Sequence, residues 1–339
     1  MTAPDGYTAQ HADEDEALHQ EEALQGRPYE LAVVQHGGLF RDLISDKLGI
    51  ASFIFLVTLI AAAALAPWIA PESPTQGNLS NAFASPVWHG GTWRNPVGTD
   101  WQGYDLLSRL LYGARTSLII GVLVVVLAGT FGVLIGLLAG YKGGRADRWL
   151  MGWVDVQISF PGLLLAMLLI ALVGGSVLSV TIILAINGWM VYARMTRGVV
   201  LSVRERPFVE AAEMMGCRPR RVVFHHILPN LSTPLVTLAV LEFARIILAE
   251  AALSFLGLGI QYPTVSWGLD IARAGDHELF GNQWLIIYPG LLLSLTVLSV
   301  NLLSSWLRVA ADPQEREKRF ASRASGTVSG AAGGGGAGL

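Results

Sequence analysis

Charge is what this sequence has least of. Asp, Glu, Lys and Arg make up 14% of its 339 residues, against 52% hydrophobic ones, and the mean hydropathy is +0.49. A soluble domain carries roughly 25% charged residues, so water is a poor solvent for this much apolar surface and a lipid bilayer a good one. Cysteine is nearly absent: Cys217 stands alone, which excludes an intrachain disulfide and a cysteine-built metal cage. Lysine occurs only at Lys47, Lys142 and Lys318, followed by Leu, Gly and Arg. None of them closes a G-x-x-x-x-G-K-[ST] loop, so no segment cradles nucleotide phosphates in that way. H-E-x-x-H and G-x-S-x-G are missing too, and neither a catalytic residue nor a metal site is expected. A net charge of −3 argues against a nucleic-acid partner. The N-terminus lacks the basic start and early apolar core of a cleavable signal. It carries Asp13, Glu14, Asp15, Glu16, Glu21 and Glu22 instead, so the first apolar run is expected to stay as an anchor.

What is present is length without charge. A helix needs about 20 apolar residues to cross a bilayer. Leu48 to Ile69 fits one span, and Thr116 to Tyr141, between Arg115 and Lys142, fits a second. The long uncharged stretch from Val156 to Ala193 is broken by Gly174-Gly175-Ser176, which predicts two spans, Trp149 to Val173 and Val177 to Ala193. Pro234 to Phe255 and Trp284 to Leu307 complete an all-α, polytopic chain of six transmembrane helices. Leu106, Leu107, Leu110 and Leu111 predict an interfacial helix over Asp105 to Tyr112. Basic residues stay on the cytoplasmic side. With both termini inside, that side holds nearly all of them, and only Arg94, Arg109 and Arg273 fall outside. The expected organisation is an acidic, disordered cytoplasmic N-terminus (1–45), a first span with its external loop (46–112), a five-helix core (113–312) and a disordered cytoplasmic tail (313–339).

The core contains one cytoplasmic loop, 201–230, with a pattern of its own. Pro207 suits the first turn of a short helix and Gly216 its end. Between them Ala211 and Ala212 permit close approach to another protein, and Met214 and Met215 adapt to an apolar groove. An ordinary amphipathic linker is the plain alternative. Glu210, Ala211, Ala212, Gly216, His226, Leu228 and Pro229 resemble the coupling loop of binding-protein-dependent ABC importer permeases, with histidine at His226 similar to the dipeptide/oligopeptide/nickel branch. Three further stretches carry the same resemblance: Asn95 to Leu118, Gly140 to Pro161, and Leu253 to Gly268. Tyr104 and Ser304-Ser305-Trp306 depart from the family pattern.

The resemblance implies a C-type permease working as a heterodimer with a second permease in a bacterial cell membrane. An external substrate-binding protein would deliver the substrate, and two ATPase subunits would bind ATP and Mg, so this chain needs no cofactor of its own. Short peptides are the implied cargo, with nickel chelates or haem as the alternative. A secondary transporter is the rival from another class, but it calls for inverted repeats and an ion pathway that the sequence does not display. Four smaller features complete the reading. Glu242 and Arg245, three apart, with Glu250 beyond, put charge into the fifth span, where pairing between spans or contact with substrate would offset about 2.5–3.5 kcal/mol each. Asp155 and Pro161 suggest a kink. His225 and His226, adjacent on a helix, make poor joint ligands. Pro263, Ser266, Trp267 and Gly268 mark an external loop expected to touch the binding protein or the substrate.

Overall fold

The computed structural model describes Leu43 and residues 46–275 and 282–311. The chain divides into two units, 1–45 and 46–339, and the second is described below. The expectations for the acidic N-terminus and for the tail beyond 311 lie outside the described residues.

Among these residues the structure is helical, with a single isolated bridge between Thr99 and Asp105. The first helix, α1 (Lys47–Ala64), starts where Asp46 accepts the backbone N–H groups of Leu48 and Gly49. A cap then runs over 71–105, followed by α2 (Leu106–Lys142), α3 (Gly144–Ile158), α4 (Gly162–Val173) and α5 (Val177–Arg204). A short helix, α6 (Pro207–Met214), opens the lobe that ends at Leu231. The chain closes with α7 (Ser232–Phe255), α8 (Trp267–Gly275) and α9 (Trp284–Ala311).

Among the described residues four helices are long and apolar enough to cross a membrane: α1, α2, α5 and α9. The pair α3–α4 adds a fifth if it counts as one span, but it is bent by 83°. The span expected from Trp149 to Val173, with its kink at Asp155 and Pro161, is therefore a sharp elbow. Ser159 Oγ donates to the Asp155 carbonyl, and Pro161, which has no N–H to give, stands as the N-cap of α4. The expected interfacial helix is also absorbed: Asp105 caps α2 directly, accepting from Ser108 N at 2.8 Å, and the helix runs unbroken for 37 residues. The turn at Gly174-Gly175-Ser176 is as expected, with Ser176 and Ser179 forming a capping box at the start of α5.

The central contact is α2 on α5, and glycine makes it. A Cβ built on Gly132 would lie 2.2 Å from the Trp189 carbonyl oxygen, and one on Gly136 2.5 Å from that of Ala193. On Gly140 it would meet the Val200 side chain at 2.8 Å. This four-residue spacing of small residues lets two backbones close on each other and replaces hydrophobic driving force with dispersion contact. Ile120, Val124, Ala166, Ile170, Val180 and Ile183 fill the space where α2, α4 and α5 meet.

Candidate functional site

The 205–231 lobe is built around one short amphipathic helix. Val209 and Ala212 lie on one face of α6 and are both buried, Val209 in a cluster with Leu137, Val200, Val222, Ile227 and Leu231. Phe208, Glu210, Glu213, Met214 and Met215 lie on the other face, exposed. A hydrogen-bonded C-terminal cap ends the helix: Cys217 N donates to Ala212 O at 3.1 Å and Gly216 N to Glu213 O at 2.9 Å. That pattern needs a left-handed residue at its centre, and Gly216 supplies it at φ 75°. Tyr141 Oη donates to Glu213 at 3.1 Å, and Arg204 Nη1 donates to the Tyr141 carbonyl at 3.2 Å, so the lobe is fastened to the end of α2. Val222–Ile227 winds as a π-helix, and Asn230 Nδ2 donates to the His226 carbonyl. The result is a firmly held shelf on which Phe208, Glu210 and two methionines stay exposed.

One expectation about this shelf changes. Ala212 faces the chain's own core, so of the two alanines only the half-buried Ala211 remains within reach of a partner. Nothing crowds a Cβ at Gly216; within this chain its requirement is the backbone angle. His226 and Leu228 are half-buried, and Pro229 is exposed.

At the opposite end of α2, the 71–105 cap and the 256–275 segment lock together. Arg109 is 2% exposed, and its Nε donates to Asp270 Oδ1 at 2.9 Å. Its Nη1 donates to the Tyr262 hydroxyl at 3.1 Å and to the Pro74 carbonyl at 3.2 Å. The guanidinium lies 5.3 Å from the Tyr104 ring centre and 5.5 Å from that of Tyr262, within cation–π range. Tyr104, a departure from the family pattern, is thus part of this packing. Burial pushes the Asp270 carboxyl above its ordinary value, and Arg109 beside it works in the other direction. A second ladder runs through the cap, from Asn81 to Asn95 and from Asn95 to Asp105, at 2.8 and 3.0 Å.

Glu250, on α7, is fully buried. It accepts from Ser266 Oγ at 2.7 Å, Ser117 Oγ at 2.8 Å and Ser254 Oγ at 2.9 Å, so one carboxylate joins α2, α7 and the loop before α8. Beside it Trp267, fully buried, donates to the Leu110 carbonyl at 3.0 Å. Gly268 leaves room for the Ala251 carbonyl, 2.1 Å from where a Cβ would stand. This corrects the expectation for the external loop: Ser266, Trp267 and Gly268 are structural, and only Pro263 of that set is exposed. Replacing Glu250 by alanine leaves three buried hydroxyls without their shared acceptor, at about 1–3 kcal/mol for each that stays unpaired. The expected result is a clear loss of thermal stability in detergent, with Glu250→Gln milder. Equal stability for the alanine variant and the wild type would refute the clasp.

Glu242 and Arg245 do not join two spans. Both belong to α7, with Arg245 Nε 3.3 Å from Glu242 Oε2, so the ion pair forms within one helix. Glu242 is buried, while the Arg245 side chain is 59% exposed. At the elbow, α3 is held to α5 by Arg197, whose Nη2 donates to Asp147 Oδ2 at 2.6 Å, and by an exposed Arg194–Asp155 pair. Asp155 is thus an anchor for Arg194 as well as a neighbour of the bend. His225 and His226 belong to no metal-binding group, and the described residues hold no cluster of three or more potential ligands.

Several helices long and apolar enough to cross a membrane, with a cap at one end of the bundle and a shelf at the other, mark a multi-pass membrane protein. Residues 132–317 match the family model for the binding-protein-dependent transport system inner membrane component, and residues 38–86 match the N-terminal TM domain of oligopeptide transport permease C. The chain belongs to this family of permease subunits. It is 39% identical over 276 residues to a di/tripeptide transport system permease protein of Pseudomonas aeruginosa, covering 81% of this chain and 91% of the relative. A dipeptide transport system permease protein of Escherichia coli K12 is 40% identical over 275 residues (80% and 91%). The oligopeptide transport system permease protein of Haemophilus influenzae is 34% identical over 276 residues (81% and 88%).

Proposed function

We propose that this chain is one of two permease subunits of an ATP-driven importer that carries short peptides, handed over by an external substrate-binding protein, across a bacterial cell membrane. The observation that carries the reading is the shelf at α6, a helix held firmly on one face and left exposed with Phe208, Glu210, Met214 and Met215 on the other. In this reading the shelf is the coupling helix and sits in a cleft of an ATPase subunit. Closure of the ATPase pair moves it as a rigid body, and the pore between the two permeases changes the side to which it opens. The shelf is cytoplasmic, in keeping with the basic residues around it, and the 71–105 cap faces outward, its exposed Trp88 and Trp93 suited to the bilayer interface. Six crossings result when the α3–α4 elbow counts as one and the 24-residue α7 is included. ATP and Mg belong to the partner ATPases, and this chain takes part in no bond-making step. Pro263 is left as the residue of its loop that faces the binding protein.

Phe208→Ala combined with Glu210→Arg tests the shelf in the complete complex. Both side chains are exposed, so the amount of permease in the membrane stays at the wild-type level. Peptide uptake is expected to fall by about tenfold or more, the equivalent of about 1.4 kcal/mol at the contact. Uptake at the wild-type rate would exclude α6 as the point of contact.

A further inference from the structure

A cavity of about 550 Å³ opens between the α3–α4 elbow, α5 and α7. Its walls are apolar except for Asn187, Glu242 and Arg245. Two of those three carry unspent hydrogen-bonding capacity. Asn187 is 7% exposed and gives its Nδ2 to the Ile183 carbonyl at 3.0 Å, which leaves Oδ1 with no partner. Glu242 is 6% exposed, and its Oε2 lies near Arg245 as an ion pair but in no hydrogen bond. Buried acceptors left open in this way cost on the order of 1–3 kcal/mol each. The Arg245 guanidinium, largely exposed, has donors to spare. Gly162 and Leu163, the first residues of α4, also line the cavity, and no side chain caps that helix start. Helix N-termini at a break in a membrane bundle favour carboxylates.

The cavity, half open and of the size that small ligands occupy, therefore sets acceptors and donors side by side among apolar walls. We infer that it is a transit site for a zwitterionic short peptide: Glu242 and Asn187 Oδ1 accept from the ammonium or first amide, while Arg245 and the N–H groups at the start of α4 receive the carboxylate. An intrahelical ion pair that joins no spans is well placed for this. Opening it to admit a zwitterion replaces one charge pair by two, with no net charge left in the membrane. The inference rests on the peptide-permease reading and adds to it a binding step within this chain, after release by the binding protein.

The test uses the complete complex in proteoliposomes and a radiolabelled dipeptide bearing a diazirine side chain. Illumination during turnover is expected to label peptides spanning 158–163, 187–191 or 242–252. Glu242→Gln and, separately, Asn187→Leu should each lower that labelling and uptake by roughly tenfold, while ATP hydrolysis stimulated by the loaded binding protein stays within about twofold of wild type. Asn187→Leu replaces a buried amide by an apolar side chain of similar size, so it remains informative if Glu242→Gln does not accumulate. Uptake by the wild-type complex with label elsewhere, or labelling unchanged in the variants, overturns the inference and leaves the permease reading standing. Absence of dipeptide uptake by the wild-type complex overturns both.

Discussion

Arg109→Ala is expected to destabilise the protein by about 3–5 kcal/mol, because it strands Asp270 as a buried charge without its partner. Asp270→Ala should cost a similar amount for the mirror-image reason. In a thermal aggregation assay in detergent either change should lower the midpoint by on the order of 10 °C. The double variant Arg109→Met, Asp270→Leu is the sharper measurement. It removes both charges and keeps most of the volume, and apolar replacement of a whole buried pair is often neutral. The double variant is therefore expected to be more stable than either single one. If the three variants are equally unstable, the destabilisation comes from lost packing on Tyr104 and Tyr262, and the ion pair is not its source.

Gly136→Leu is expected to be the most disruptive single change in the core of the bundle. The Cβ alone would press into the Ala193 carbonyl at 2.5 Å and the Thr196 side chain at 2.6 Å. Neither can retreat, because one is helix backbone and the other is fully buried. Overpacking costs typically 1–3 kcal/mol and occasionally more, and here it also separates α2 from α5 along the Gly132, Gly136 and Gly140 line. The amount of permease recovered from membranes should drop several-fold. Gly152→Leu is the control, since nothing stands within 4 Å of a Cβ there; its yield should match the wild type. Equal yields for Gly136→Leu and the wild type would mean that α2 and α5 do not close on each other through these residues.

The sequence was informative where one side chain or one composition decides the outcome. Pro207 and Gly216 marked both ends of α6 because a missing N–H and a positive φ leave few other places for those residues. Apolar length located α1, α5 and α9. The elbow at Ser159 to Pro161 was legible as a kink and illegible as an 83° turn, since the angle depends on what α4 packs against. Burial was misread in one direction. Ser266, Trp267 and Gly268 looked like loop residues facing outward, yet a tryptophan between a small polar residue and a glycine is equally the pattern of a segment driven into a core. The Arg109–Asp270 pair and the Glu250 cradle join residues 161 and up to 133 positions apart, and no local spacing announces them. The glycine line was available, at 132, 136 and 140, as a repeat with the period of one helix face. Asn187 had no signal at all; its free oxygen exists only in three dimensions.

One rod has a hand at each end. Arg109 sits one turn into α2 and Tyr141 next to its last residue, so about 50 Å of continuous helix at 1.5 Å per residue separates the Arg109 clasp from the 205–231 shelf. A helix that long, wedged along its middle by close backbone contact, has no joint at which to absorb motion. Tilting the shelf by a few degrees must swing the clasp in the opposite sense, as the far end of a pry bar moves when the near end is pushed. Paired spin labels, one near each tip, would then report the two displacements as a single event with one time constant.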